Sequence, residues 1–202
     1  VERLLSVMRR LRAPDGCPWD RKQTHKSLVP YLLEEAAEAA DAILSDDREA
    51  TVEELGDVLL QVAFHAVIAE EEGGWRYDDV EEAIVTKLIH RHPHVFGEAQ
   101  VESADEVLAN WERLKAAEGK VRDRPCDGVP ASLGALARAY EVEKALGYPE
   151  GSQARVAEAV ASGDLKRVLL EVVAWARAQG QNPEALLREA VVELCSSPSP
   201  KP

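Results

Sequence analysis

The chain has 202 residues, enough for one ordinary domain or two small ones, and 46% of them are apolar, sufficient for a core. A formal net charge of −13 repels nucleic acid and anionic membrane, so neither is expected as a partner. No apolar run approaches a membrane span and no signal-peptide pattern opens the sequence. The cysteines, Cys17, Cys126 and Cys195, are isolated, which suits a reducing, cytoplasmic setting. Aromatics are scarce, Ala and Leu abundant, and Gly and Pro fall between apolar runs, so an all-α fold is expected.

Glu2 to Arg12 reads as a short amphipathic helix with Leu4, Leu5, Met8 and Leu11 on one side, stopped by Pro14-Asp15-Gly16. Gly16-Cys17-Pro18-Trp19-Asp20 follows as a loop. A second helix is predicted from about Ser27 to Leu44, with Pro30 tolerated in its first turn. A third is predicted from about Thr51 to Glu72, ending at Gly73-Gly74. From Val58 to Ile68 its apolar residues point to nearly every side, the pattern of a buried helix. Asp78 or Asp79 is expected to cap a fourth helix, which carries Lys87 and Arg91 and ends before Pro93. Ser103-Ala104-Asp105-Glu106 is a capping-box signature for a fifth, bearing Trp111 and Lys115. Ser132 to Leu194 reads as two to four further helices. Val58-Leu59-Leu60-Gln61-Val62-Ala63 matches Val168-Leu169-Leu170-Glu171-Val172-Val173 at an offset of 110, a faint internal repeat. At that offset Glu54 meets Asp164 and Asp57 meets Arg167.

The chemistry concentrates in two acidic pairs. In Glu34-Glu35-Ala36-Ala37-Glu38, Glu35 and Glu38 share a helix face, and in Glu53-Glu54-Leu55-Gly56-Asp57, Glu54 and Asp57 do. A lone Glu-Glu-x-x-Glu is most often a solvated face. A second pair on an otherwise apolar helix is different, because a buried carboxylate is costly unless paired or bound to metal. Four converging acids repel one another unless a cation lies between them. The hard cation suited to all-oxygen ligation is Mg²⁺, or Mn²⁺ in its place, and such a cluster points to phosphate-ester chemistry. Lys87 and Arg91 can also be read as ordinary cations near a helix C-terminus, and Trp111 as a core anchor. The five histidines form no Glu-x-x-His pair, which argues against a di-iron bundle. His90, His92 and His94 read as structural or phosphate-neighbouring. No P-loop, GxSxG or Rossmann fingerprint is present.

With these residues in view, the chain resembles the MazG family of nucleoside triphosphate pyrophosphohydrolases, one of the all-α NTP pyrophosphatases. The likeness runs from Val1 to about Lys120. It rests on Gly16-Cys17-Pro18-Trp19-Asp20, Glu34-Glu35-Ala36-Ala37-Glu38, Glu54-Leu55-Gly56-Asp57, Arg91-His92-Pro93-His94-Val95-Phe96 and the Trp111 to Lys115 turn. The resemblance implies an antiparallel helical bundle in which Glu35, Glu38, Glu54 and Asp57 hold Mg²⁺. It implies Lys87 and Arg91 as a phosphate-binding pair, and Trp111 and Lys115 as nucleotide contacts. Glu34 or Glu38 is the candidate proton acceptor. A homodimer, or a dimer of dimers, with a composite active site is also implied. Tyr31 and Ala50 stand where some active relatives carry lysines, and Arg167 stands where a second acid motif would carry an acid. The expected organisation is a catalytic helical domain over 1–118, a linker over 119–131, a degenerate helical domain over 132–195 and a disordered tail over 196–202. The expected reaction is NTP + H₂O → NMP + diphosphate, with broad specificity that clears unwanted nucleotides. The alternatives are a narrow dUTP or dCTP pyrophosphatase, and a non-catalytic protein using metal for dimerisation.

Overall fold

The computed structural model describes residues 1–117, 124 and 126–196, with the side chains at 112, 115, 116 and 196 outside that description. Residues 119–123 and 125 of the expected linker and the expected tail past Ser196 lie outside the described residues. The chain divides into two compact units, Val1–Gly119 and Lys120–Pro202. The described residues are helical with no strand, so the all-α expectation holds.

In the first unit the helices are α1 (Glu2–Arg12), α2 (Pro18–Lys22), α3 (Val29–Leu44), α4 (Arg48–Glu71), α5 (Tyr77–Arg91), α6 (Pro93–Phe96) and α7 (Ala104–Ala117). Its core joins Leu5 and Met8 of α1 to Leu28 and to Ala63, Phe64, Ala66, Val67 and Ile68 of α4. α3 packs along α4, and its buried residues, Ala39 and Ala42, are small enough to let the two backbones approach. The turn between them is three residues long. Asp46 adopts φ 55°, a conformation that a short polar side chain tolerates, and the Asp47 carboxylate caps α4 by accepting from the N–H groups of Glu49 and Ala50. This tight hairpin places α3 antiparallel to α4 and sets their acids opposite one another.

Three expectations need correction. The segment after Gly16 is not wholly a loop: α2 starts there with Pro18 in its first turn. The cap of α5 is Arg76, not Asp78 or Asp79. Asp79 instead reaches back, its carboxylate accepting from the Arg76 N–H at 2.7 Å. The third helix is buried all round only from Gln61 to Ala69. Its N-terminal half is open, with Val52 68%, Leu55 49% and Leu59 40% exposed, because within the first unit the core covers only the C-terminal half of α4.

In the second unit the helices are α8 (Ala135–Leu146), α9 (Gln153–Ser162), α10 (Leu165–Ala178) and α11 (Pro183–Ser196). α9 packs along α10, and α8 packs against α10 and α11. Gly151 makes this possible. Its N–H bonds the Ala174 carbonyl, and an added Cβ would lie 2.2 Å from the Trp175 nitrogen.

Candidate active site

The α3–α4 hairpin brings Glu35, Glu38 and Glu54 together, with one carboxylate oxygen of each lying within 4.8 Å of the others. Glu35 and Glu54 are half-buried and Glu38 is exposed, so the cluster opens to solvent on one side. Partial burial pushes the Glu35 carboxyl above the usual glutamate range, and the neighbouring charges of Asp57, Glu38, Glu34 and Glu54 push it further. Glu54 is raised in the same way, by loss of hydration and then by Glu38, Asp57 and Glu53. Asp57 stands outside the three-oxygen group, yet its charge is the largest electrostatic influence on Glu35. No ion pair to these four acids is seen among the described residues. Glu34 is exposed and adjoins the cluster through its effect on Glu35.

Of the four expected phosphate and nucleotide contacts, the structure joins Arg91 and Trp111. The Arg91 guanidinium lies over the Trp111 ring at 5.1 Å, and His92 meets the same ring edge-on at 5.1 Å. His92 also donates from Nδ1 to the Leu88 carbonyl at 2.7 Å, satisfying a late carbonyl of α5, and His94 sits 5.5 Å from it. Lys87 is exposed on α5 and lines a shallow groove with Trp75, Asp79 and Ile84, making no ion pair among the described residues. Lys115 lies on α7, and its side chain falls outside the described residues.

Two features escape a reading of the sequence. His25 and His65 face each other, Nδ1 to Nδ1, at 2.8 Å, with Trp75 stacked on His25 and Glu72 3.8 Å from its Nε2. Burial and the neighbouring His25 depress the pKa of His65. The two histidines are forty positions apart (65 − 25), so no local pattern reveals the pair. His65 does share a helical line with Glu54, the one available signal. Arg12 is the other feature. Its side chain is 7% exposed, it forks onto Glu71 and its Nη1 donates to the carbonyls of Asp20 and Gln23. This fastens the end of α2 and the segment leading to α3 against α4.

Residues 23–96 match the MazG nucleotide pyrophosphohydrolase domain. The nucleoside triphosphate pyrophosphohydrolase/pyrophosphatase MazG of Thermotoga maritima is 39% identical over 211 residues, covering 94% of this chain and 80% of that protein. This chain belongs to the MazG family. The nucleoside triphosphate pyrophosphohydrolase of Escherichia coli is 46% identical over 147 residues, covering 71% of this chain, and Bacillus subtilis YabN is 49% identical over 140 residues, covering 69%. The chain spans 56% of the former and 29% of the latter. A solved MazG-related protein from Thermotoga maritima, 31% identical, covers 57% of this chain and 99% of its own, with a TM-score of 0.48. Glu34, Glu35, Glu38, Glu54, Asp57, Lys87 and Arg91 lie within the MazG match, and Trp111 and Lys115 lie beyond it.

Proposed function

We propose that the first unit is a Mg²⁺-dependent nucleoside triphosphate pyrophosphohydrolase that converts NTPs and dNTPs to monophosphates and diphosphate. The carrying observation is the meeting of Glu35, Glu38 and Glu54 within 4.8 Å in a member of the MazG family. The donor set fits a hard divalent cation. It is all oxygen and open on one side, and its mutual repulsion is what such an ion relieves. Glu35, Glu38, Glu54 and Asp57 would hold Mg²⁺, or Mn²⁺ in its place. When bound, that ion supplies positive charge to the triphosphate and lowers the pKa of the attacking water.

The chain's own groups then divide the remaining work. Glu34 takes the water's proton, and Glu38 is the second candidate for that role. Lys87, Arg91 and Lys115 offset charge that grows on the departing diphosphate. Trp111, stacked under Arg91, contacts the nucleotide. Attack at the α-phosphorus in line with the bridging oxygen releases diphosphate whole.

A homodimer completes this reading. Leu33 and Ile43 of α3, with Val52, Leu55 and Leu59 of α4, are exposed apolar residues beside the acids, and a second copy would cover them. The free cysteines accord with a reducing, cytoplasmic setting, and among the described residues no helix is long and apolar enough to cross a membrane.

The test is an assay with Mg²⁺ against the standard NTPs and dNTPs together with dUTP and ITP, with products separated by ion exchange. Monophosphate and diphosphate are expected from several bases. Turnover of dUTP or dCTP alone selects the narrow enzyme. Nucleoside diphosphate and phosphate overturn the mechanism. No turnover with Mg²⁺ or Mn²⁺ leaves the metal-linked dimerisation protein.

A further inference from the structure

The two units share a burial pattern that goes deeper than their six-residue sequence match. At the offset of 110, buried Gln61, Ala63, Phe64 and Ala66 of α4 meet buried Glu171, Val173, Ala174 and Ala176 of α10. Each of these helices packs along the helix before it through a tight turn. The turns are built alike. Asp46 at φ 55° precedes the capping Asp47, and Gly163 at φ 73° precedes the capping Asp164. They differ in reach. The core register sets Asp164 against Glu54, whereas the turn sets it against Asp47. The difference of seven positions (54 − 47) is about two helical turns. The second hairpin is therefore cut short at the end that carries the acids in the first.

That shortening changes what each acid does. The Asp164 carboxylate, at the place of Glu54, accepts from the N–H groups of Lys166 and Arg167 at 3.0 and 3.3 Å and is consumed in capping its own helix. Arg167, at the place of Asp57, donates from Nη2 to Glu158 of the facing α9 at 2.8 Å. We infer that α9–α10 is a shortened copy of the α3–α4 hairpin in which the Arg167 guanidinium bridges the two helices in place of a divalent cation. Resting on the reading of α3–α4 as a cation site, this makes α9–α10 a metal-independent hairpin, so that among the described residues α3–α4 alone binds the cation.

The test is hydrogen exchange on the full chain, read separately over α3–α4 and α9–α10, with and without Mn²⁺. In the parent chain Mn²⁺ slows exchange in α3–α4 and leaves α9–α10 unchanged. Arg167→Ala speeds exchange in α9–α10 about two- to five-fold, the scale of an exposed ion pair, and leaves nucleotide turnover as it was. A chain with Glu35→Gln, Glu38→Gln and Glu54→Gln shows no Mn²⁺ effect in either hairpin. Mn²⁺ protection of α9–α10 in that triple variant overturns the inference, as does an Arg167→Ala chain whose α9–α10 exchange is unchanged. Absence of Mn²⁺ protection in the α3–α4 hairpin of the parent overturns the proposed metal site instead, and Arg167→Ala still decides the role of the guanidinium.

Discussion

In α3–α4, Glu35, Glu38 and Glu54 face one another with no cation between them among the described residues. In α9–α10, Glu158 is paired with Arg167, Asp164 caps its own helix, and Glu171 is gripped by Arg155. Both hairpins nonetheless bury side chains at corresponding positions of their second helix. The frame and the charge arrangement are therefore separable. Small and apolar side chains away from the turn hold the two helices together. What the turn end can bind depends on how far the helices run between that core and the turn, and on whether the acids there already have partners.

Breaking the first hairpin's charge arrangement should have the largest effect. Glu54→Gln should lower turnover by at least about a hundredfold, as loss of transition-state charge stabilisation does. The same substitution should raise the melting temperature of the cation-free chain, because it removes one member of a repelling set. A fall in both quantities would mean that Glu54 has a packing role instead. In the second hairpin, Arg155→Ala should have the opposite thermal effect. Glu171 is 1% exposed and takes two bonds from Arg155, at 2.7 and 2.8 Å, with a further one from the Tyr148 hydroxyl. Losing the Arg155 bonds to that carboxylate should lower the stability of the second unit, measurable by denaturant unfolding, with turnover unaffected.

Gly151→Ala tests whether the second hairpin depends on backbone contact. A Cβ there meets the Trp175 nitrogen at 2.2 Å, so a loss of about 1–3 kcal/mol is expected. Gly56 on α4 has nothing near a built Cβ, and Gly56→Ala should be tolerated or mildly stabilising by helix propensity.

The smallest effect is a divergence with pH. Glu35 and Glu54 have raised carboxyl pKa values in the folded chain, so the folded form binds more protons than the unfolded one just above the ordinary glutamate range. Without cation, stability of α3–α4 should therefore fall as pH rises through those raised values. Glu171 is lowered, chiefly by its bonds from Arg155. Its contribution is present above the ordinary glutamate value and is lost as pH falls through the lowered one. On acidification, protection of α3–α4 relative to the intrinsic amide rate should thus rise as pH falls through the raised values, and protection of α9–α10 should fall only below the ordinary glutamate value. Glu143 on α8 is raised by burial, so it shares the sign of the first hairpin, and a Glu143→Gln background removes it from the comparison.

The acids were legible because helical spacing is local: two residues three or four apart must share a face once the helix is assigned. The helix assignments themselves follow from apolar periodicity and punctuation by Pro, Gly and Asp. What was not legible depends on distant partners. α2 reads as a loop because five residues carry too little pattern; its end is fastened by Arg12, whose contacts span eight and eleven positions. Val58 to Leu60 read as buried because the run from Val58 to Ile68 is apolar on nearly every side, and only the packing shows that Leu59 stays exposed and that the core covers α4 from Gln61 on. The second hairpin's kinship is faint in sequence, since its acids changed identity while its buried positions kept only their burial and polarity class, with Phe64 answered by Ala174. The Arg91–Trp111 stack joins α5 to α7 across a break at Pro93, where no spacing rule applies.

The His25–His65 contact carries a constraint on proton counting. Two imidazole nitrogens at 2.8 Å can share one hydrogen and no more, so while the contact lasts the four ring nitrogens hold two or three hydrogens, never four. Glu72 near the Nε2 of His25 favours a hydrogen on that nitrogen, and burial beside His25 holds His65 below the ordinary imidazole range. The pair therefore takes up one positive charge where two separate imidazoles would take two. The second proton can enter only by parting the turn before α3 from α4.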